Sequence, residues 1–211
     1  MSKISRIRLE NFTAFAELDL ALSPGVNVIV GINGTGKTHL LKLLYAATAI
    51  TAGEDREKGF ARKLLGVFKP YQGCMTRLVR RRQGLPAAEI TVVRDDGAKL
   101  KAVIDNQKAD VRGVRVTGES KWQAVPIECA YIPVNEMLAH APGFLATAAK
   151  REIAFEEVYV DIIKKAFLPK LKDPVDADHR KLLTALQQAI EGKVVAKGEH
   201  FFLKNSQGEL E

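Results

Sequence analysis

The residues most able to do chemistry lie together at Gly31-Ile32-Asn33-Gly34-Thr35-Gly36-Lys37-Thr38. Three glycines let the main chain adopt angles closed to other residues, so successive N–H groups can converge on an anion. Lys37 adds a compact positive charge, and the Thr38 hydroxyl is a ligand for a hard cation such as Mg²⁺. The spacing G-x-x-x-x-G-K-T is that of a loop closing around the β- and γ-phosphates of a nucleotide. Such a loop works only between a strand and a helix, because the first turn of the helix aims its unsatisfied N–H groups and its dipole at the same anion. Both neighbours are readable. Val26-Asn27-Val28-Ile29-Val30 is a short β-branched run suited to a strand buried on both faces. Thr38 to Ala49 places Leu40, Leu41, Leu44 and Ala47 at helical spacing. ATP with Mg²⁺ is therefore the expected ligand, held by Gly31, Asn33, Gly34, Thr35, Gly36, Lys37 and Thr38, with the backbone of His39 adding an N–H.

The remaining elements alternate in type. Ile4–Phe12 and Leu18–Leu22 read as strands, and Ala88–Val93 with Leu100–Ile104 reads as a hairpin around Asp95-Asp96-Gly97. Val111–Val116 and Pro126–Ile132 are further strands, the second one in the core. Helices are expected over parts of 51–83, over 135–167 and over 178–190, with strands at 194–197 and 200–204. The predicted fold is α/β: a P-loop NTPase core with a mixed central sheet, an antiparallel β subdomain from the early strands and the hairpin, and a helical basic insertion. Residues 1–50 and 120–211 would form the nucleotide-binding head, and 51–119 the insertion.

Composition narrows the classes. The chain has 211 residues, 46% hydrophobic and 27% charged, enough for a buried core built mainly on aliphatic side chains. Cys74 and Cys129 offer neither a metal spacing nor a disulfide framework, which fits a reducing cytoplasm. The N-terminus is charged and alternating rather than a leader, and no apolar run reaches the length of a membrane span. Net charge is +7, and the surplus is local: residues 56–115 hold fifteen Lys/Arg against six Asp/Glu. Arg77, Arg80, Arg81 and Arg82 cluster tightly. That segment is a candidate DNA-binding surface, with a solvated face or an acidic protein partner as the alternatives.

The strand Arg6-Ile7-Arg8-Leu9-Glu10-Asn11-Phe12, taken with the loop Asn27 to Lys42, resembles the start of ABC-type ATPase heads. The resemblance is to the RecF/SMC/OLD-like group and to the defence ATPases of Septu systems and retrons. Asn33 before Gly-Thr-Gly-Lys-Thr is typical of that group, and Tyr131-Ile132-Pro133 with Glu136 resembles a segment of the defence ATPases. The resemblance implies a head that dimerises around sandwiched ATP, hydrolyses it, and serves DNA-related or anti-phage work, with a nuclease as a partner. It also implies that Phe12, Thr13 and Phe15 lie where the adenine is contacted, whereas the residues by themselves read Phe12 and Phe15 as core of the strand turn. The pattern departs from the group in three respects: no strand ends in Asp-Glu, no signature turn precedes a helix, and no switch histidine is recognisable. Glu136 is the one acid near a suitable strand end and the candidate for orienting water. The chain thus reads as an N-terminal portion, expected to bind ATP without turning it over alone. An ATP-gated scaffold for a partner nuclease and a small kinase remain as alternatives. A GTPase would require an Asn-Lys-x-Asp motif, which the sequence lacks.

Overall fold

A computed structural model describes residues 2–81, 84, 87–105, 107–134, 137, 141, 143–150, 155–168, 177–198 and 200–210. They form two compact units, Met1–Tyr131 and Ile132–Glu211.

The first unit is built on one antiparallel sheet. Its strands are β1 (Ile4–Phe12), β2 (Phe15–Ala21), β3 (Ala88–Arg94), β4 (Lys99–Ile104) and β5 (Val114–Thr117). They are ordered β2-β1-β3-β4-β5, with Leu9 opposite Leu18 on one side and Ile90 on the other. Strict alternation sorts the faces. Ile7, Leu9, Ile90, Val92, Leu100, Ala102 and Ile104 point inward and are fully buried. Arg6, Arg8, Glu10, Lys99, Lys101 and Arg115 point outward. The early strands and the hairpin therefore make the antiparallel sheet that their alternation predicts.

Two helices add the other half of this core. Helix α1 (Lys37–Ala49) buries Leu43, Ala46 and Ala47, and α2 (Asp55–Phe68) buries Phe60, Leu64 and Val67. Gly59 interrupts α2 at φ 73°, ψ 170°, which re-opens the backbone N–H of Phe60. Glu119, which opens the short helix α3 (Glu119–Trp122), accepts that N–H at 2.5 Å and so caps the second half of α2. The Trp122 ring is fully buried, and its indole N–H donates to the Ala47 carbonyl at 2.6 Å. Buried Arg94 then donates to the carbonyls of Trp122 and Val125 and to Asp96. These bonds tie α1 to the β3–β4 turn.

The outcome differs from expectation at two segments. Residues 26–30 are not assigned to a strand, and Val26, Val28 and Val30 are 80–88% exposed. Residues 126–132 likewise belong to neither sheet, and Ile132 is 84% exposed. Both described sheets are antiparallel, so the mixed central sheet is not formed among the described residues. The physical reason is a shortage of partners. A parallel, doubly buried strand needs neighbours on both edges and helices on both faces, and the described residues give these segments neither.

The second unit holds α4 (Phe144–Ala149), α5 (Glu157–Ala166), α6 (Ala177–Ala189) and a small sheet of β6 (Lys193–Lys197), β7 (His200–Asn205) and β8 (Gly208–Leu210). Its core gathers Ala141, Phe144 and Ile163 with Phe155, Tyr159, Phe167 and Phe201. Leu182, Leu183 and Leu186 of α6, with Ile190 just past its end, form one face in the sequence pattern, and all four are exposed.

Candidate nucleotide-binding site

The loop is a left-handed bend followed at once by a helix. Gly34 has φ 83° and Gly36 has φ 95°, both in the region that favours glycine. Gly36 is the N-cap of α1, and Leu40 N–H already donates to its carbonyl at 2.9 Å. The first backbone N–H groups of α1 consequently face the loop, with no side-chain cap to occupy them. Thr35 Oγ1 donates to the Ile32 carbonyl at 2.9 Å and tightens the loop crest.

Lys37 is folded over this bend. Its Nζ donates to the carbonyls of Gly31 at 2.6 Å and Ile32 at 2.7 Å. The ammonium is thus held above the loop by weak neutral acceptors, which an anionic phosphate oxygen outcompetes as a hydrogen-bond partner. Thr38 is exposed at the first turn of α1, where its hydroxyl can hold Mg²⁺; that ion would neutralise phosphate charge. Asn33 is exposed on the crest. The loop residues singled out in the sequence are therefore brought together by one bend and one helix start.

The other sequence candidates are placed as follows. His39 faces the ring of Phe68, centroid to centroid 5.7 Å, and Phe68 meets Phe12 edge-on at 5.5 Å. Phe12 is fully buried in that aromatic row. Thr13 follows it in the β1–β2 turn at φ 47°. Glu136 and Arg82 lie outside the described residues.

The basic segment proves heterogeneous. Lys63 is buried and bonds to Asp55 at 2.6 Å, with its ammonium 5.3 Å from the Tyr45 ring centroid. Burial pushes the Asp55 carboxyl up, but hydrogen bonds from Lys58 and Lys63 outweigh it and leave the group below the usual carboxylate range. Arg94 is buried in the network with Trp122. On the outer face of the sheet, Lys101 pairs with Glu89 at 2.6 Å, and Arg6 and Arg8 share Asp19. Lys63 and Arg94 are thus spent inside the fold, while Arg56, Arg62, Arg77, Arg80 and Arg81 are among the cations that stay exposed.

Two features were missed in the sequence. One was detectable: Lys63 falls on the same helical face as Phe60, Leu64 and Val67, which marks it as a buried cation requiring a partner. The other, the approach of the β1–β2 turn to Gly36, spans more than twenty residues and leaves no local pattern.

The model of the AAA ATPase domain matches residues 2–195. Similar curated proteins include three named DNA replication and repair protein RecF. That of Pseudarthrobacter chlorophenolicus is 48% identical over 46 residues, 21% of this chain and 11% of that protein. Those of Oceanobacillus iheyensis and Vibrio vulnificus are 27% identical over 111 residues and 25% identical over 155 residues. These alignments cover 52% and 72% of this chain, and 29% and 37% of the two relatives. The chain thus spans little more than a third of the length of these relatives at most. Among the described residues no helix is long and apolar enough to cross a membrane. With the family model covering all but the last sixteen residues and the first, and with the glycine loop formed at the start of α1, this chain belongs to the AAA ATPase domain family.

Proposed function

We propose that this chain is the nucleotide-binding part of an ATPase that binds MgATP at Gly31–Thr38 and couples its turnover to work on DNA. The observation that carries the reading is Lys37 folded over a left-handed Gly36 at an uncapped helix start. Phosphoryl transfer needs positioning and charge stabilisation above all. The loop N–H groups, Lys37 and Thr38 with Mg²⁺ supply the ground-state part. Orientation of water falls to Glu136, and closure of the site to a second head in an ATP-sandwiched homodimer. The DNA-related role is supported by the name of the RecF relatives and by exposed Arg56, Arg62 and Arg77 of the basic segment. A role in anti-phage defence, beside a partner nuclease and in the cytoplasm, rests on the resemblance alone.

The test is calorimetric titration of the 211-residue chain with ATP and Mg²⁺, beside Lys37→Ala. Binding by the parent and a loss of at least about a hundredfold in the variant is expected, since a charge-assisted contact to phosphate is removed. Equal affinity would sink the assignment. A phosphate-release assay on the same samples is expected to stay at the Lys37→Ala level. Binding without release, even after a second head is supplied, would favour the ATP-gated scaffold.

A further inference from the structure

We infer that Arg80 is a second cation of the nucleotide site, carried to the phosphate loop by the β1–β2 turn; the inference rests on reading Gly31–Thr38 as an ATP site. The turn abuts the loop directly. A Cβ placed on Gly36 would lie 2.8 and 2.9 Å from atoms of the Phe15 ring and 3.0 Å from Ala14 Cβ. Real side chains do not approach so closely, so the turn occupies the space beside the loop residue that precedes Lys37.

The same turn is laced to the segment ending in Arg80. Thr13 N–H donates to the Leu78 carbonyl at 2.8 Å, Arg80 N–H donates to the Asn11 carbonyl at 2.7 Å, and Phe12 bridges Val79. The Arg80 guanidinium then donates through Nη1 to the Ala14 carbonyl. Arg80 is thereby fixed at its backbone to Asn11 and at its tip to Ala14, the residue packed beside Gly36, while its side chain remains exposed with further N–H donors available. The turn holds a strained conformation to do this. Asn11 at φ 48° and Thr13 at φ 47° both lie in the left-handed region, which asparagine tolerates and a β-branched threonine disfavours. Asn11 Oδ1 and Thr13 Oγ1 are buried there without a hydrogen-bond partner among the described residues. Strain and orphaned polar atoms at one turn mark a place where packing yields to function.

Electrostatics gives the function its form. The loop motif carries one side-chain cation, Lys37, against a triphosphate with up to about four negative charges. A guanidinium held on the turn that abuts Gly36 supplies the missing positive charge, in a planar fork suited to phosphate oxygens. Arg81 is the natural control: it carries the same charge, is exposed, and among the described residues makes no hydrogen bond to the turn. A general basic field would treat the two arginines alike, and an aimed side chain would not.

The experiment measures ATP, ADP and AMP affinity for the full chain and for Arg80→Ala, Arg80→Lys and Arg81→Ala, with circular dichroism confirming the fold of each. Arg80→Ala is expected to weaken ATP about tenfold and AMP less than twofold, because a charge-assisted contact to the outer phosphates is lost. Arg80→Lys should recover part of the loss, and Arg81→Ala should stay within twofold. An Arg80→Ala chain that is folded and binds ATP within twofold of the parent overturns the inference and leaves the loop assignment standing. An equal loss from Arg81→Ala also overturns it. A parent chain that binds no nucleotide removes the loop assignment and this inference with it.

Discussion

The five-stranded sheet and the segment 26–32 carry the same kind of residue and meet opposite fates. Val92 in β3 is fully buried, whereas Val28 is 80% exposed. Both sit in β-branched runs that read as strands. The difference lies in where the partners are. β3 pairs with β4 across a short turn and with β1 early in the chain, and α1 and α2 follow to complete the core. The phosphate-loop run has only its helix. A β-branched run fixes the preference for extended backbone, but burial is a property of neighbours.

The comparison can be broken first at the point that welds the sheet to the loop helix. Trp122 is fully buried and its indole N–H reaches the Ala47 carbonyl of α1. Trp122→Ala should lower stability by about 4 kcal/mol in urea denaturation, as expected for deletion of a large buried aromatic. Trp122→Phe should cost less, about 1–2 kcal/mol, because it keeps most of the packing and leaves one carbonyl without its donor. If both cost under about 1 kcal/mol, α1 is not held by this contact.

The next effect in size concerns the buried ion pair. Asp55→Ala removes one partner from buried Lys63 and should cost about 3 kcal/mol, with Lys58 unable to substitute for a carboxylate. Replacing both, as Asp55→Asn with Lys63→Met, should restore most of that loss. A double variant as unstable as the single one would show that the pair contributes specific bonding rather than mutual neutralisation.

How much of this was legible follows from the range of each signal. The glycine bend and the helix start were legible, because Gly34, Gly36, Lys37 and Thr38 lie within one short stretch and their backbone preferences are local. The hairpin at Asp95-Asp96-Gly97 was legible for the same reason: alternation and turn chemistry are local. The registry β2-β1-β3 was expected only as an antiparallel sheet of early strands and hairpin, since pairing between residues more than eighty apart leaves no period in the sequence. The sequence boundary at residue 120 and the compact unit ending at Tyr131 reflect two different criteria, charge composition and contact. Charge composition also hid the split within the basic segment, where Lys63 and Arg94 turn inward and the arginines near 80 remain outside.

A smaller effect sharpens the outer face of the sheet. Asp19 accepts hydrogen bonds from Arg6 and, at 3.0 Å, from Arg8, and the Arg6 bond chiefly lowers its pKa to about 2. The folded value lies below the ordinary carboxylate value of 3.8, so the contribution is present above about pH 4 and is lost as pH falls through 2. Asp19→Asn should flatten the stability profile of the sheet in that window, leaving the lowest pH unchanged and lowering stability only slightly above pH 4, because the pair is exposed and screened. A profile that keeps its slope after the substitution would assign it to other acids.

The last test, whose informative outcome is a near-zero effect at Val28, bears on the comparison itself. Val→Thr changes one methyl to a hydroxyl at nearly constant shape, so the cost reports burial rather than volume. At Val92 the hydroxyl enters the core and should cost about 1–3 kcal/mol. At Val28 the side chain is 80% exposed, so Val28→Thr should change stability by less than about 0.5 kcal/mol. The measurement is chemical denaturation of both variants at several protein concentrations. A loss at Val28 comparable to that at Val92 would show that residues 26–30 are buried in solution. If that loss grows with protein concentration, the burial comes from a second copy of the chain lying along this segment, since an exposed β-branched run is a ready template for strand pairing. If it is independent of concentration, the run packs within its own chain, and Val28 and Val92 would then differ only in which sheet receives them.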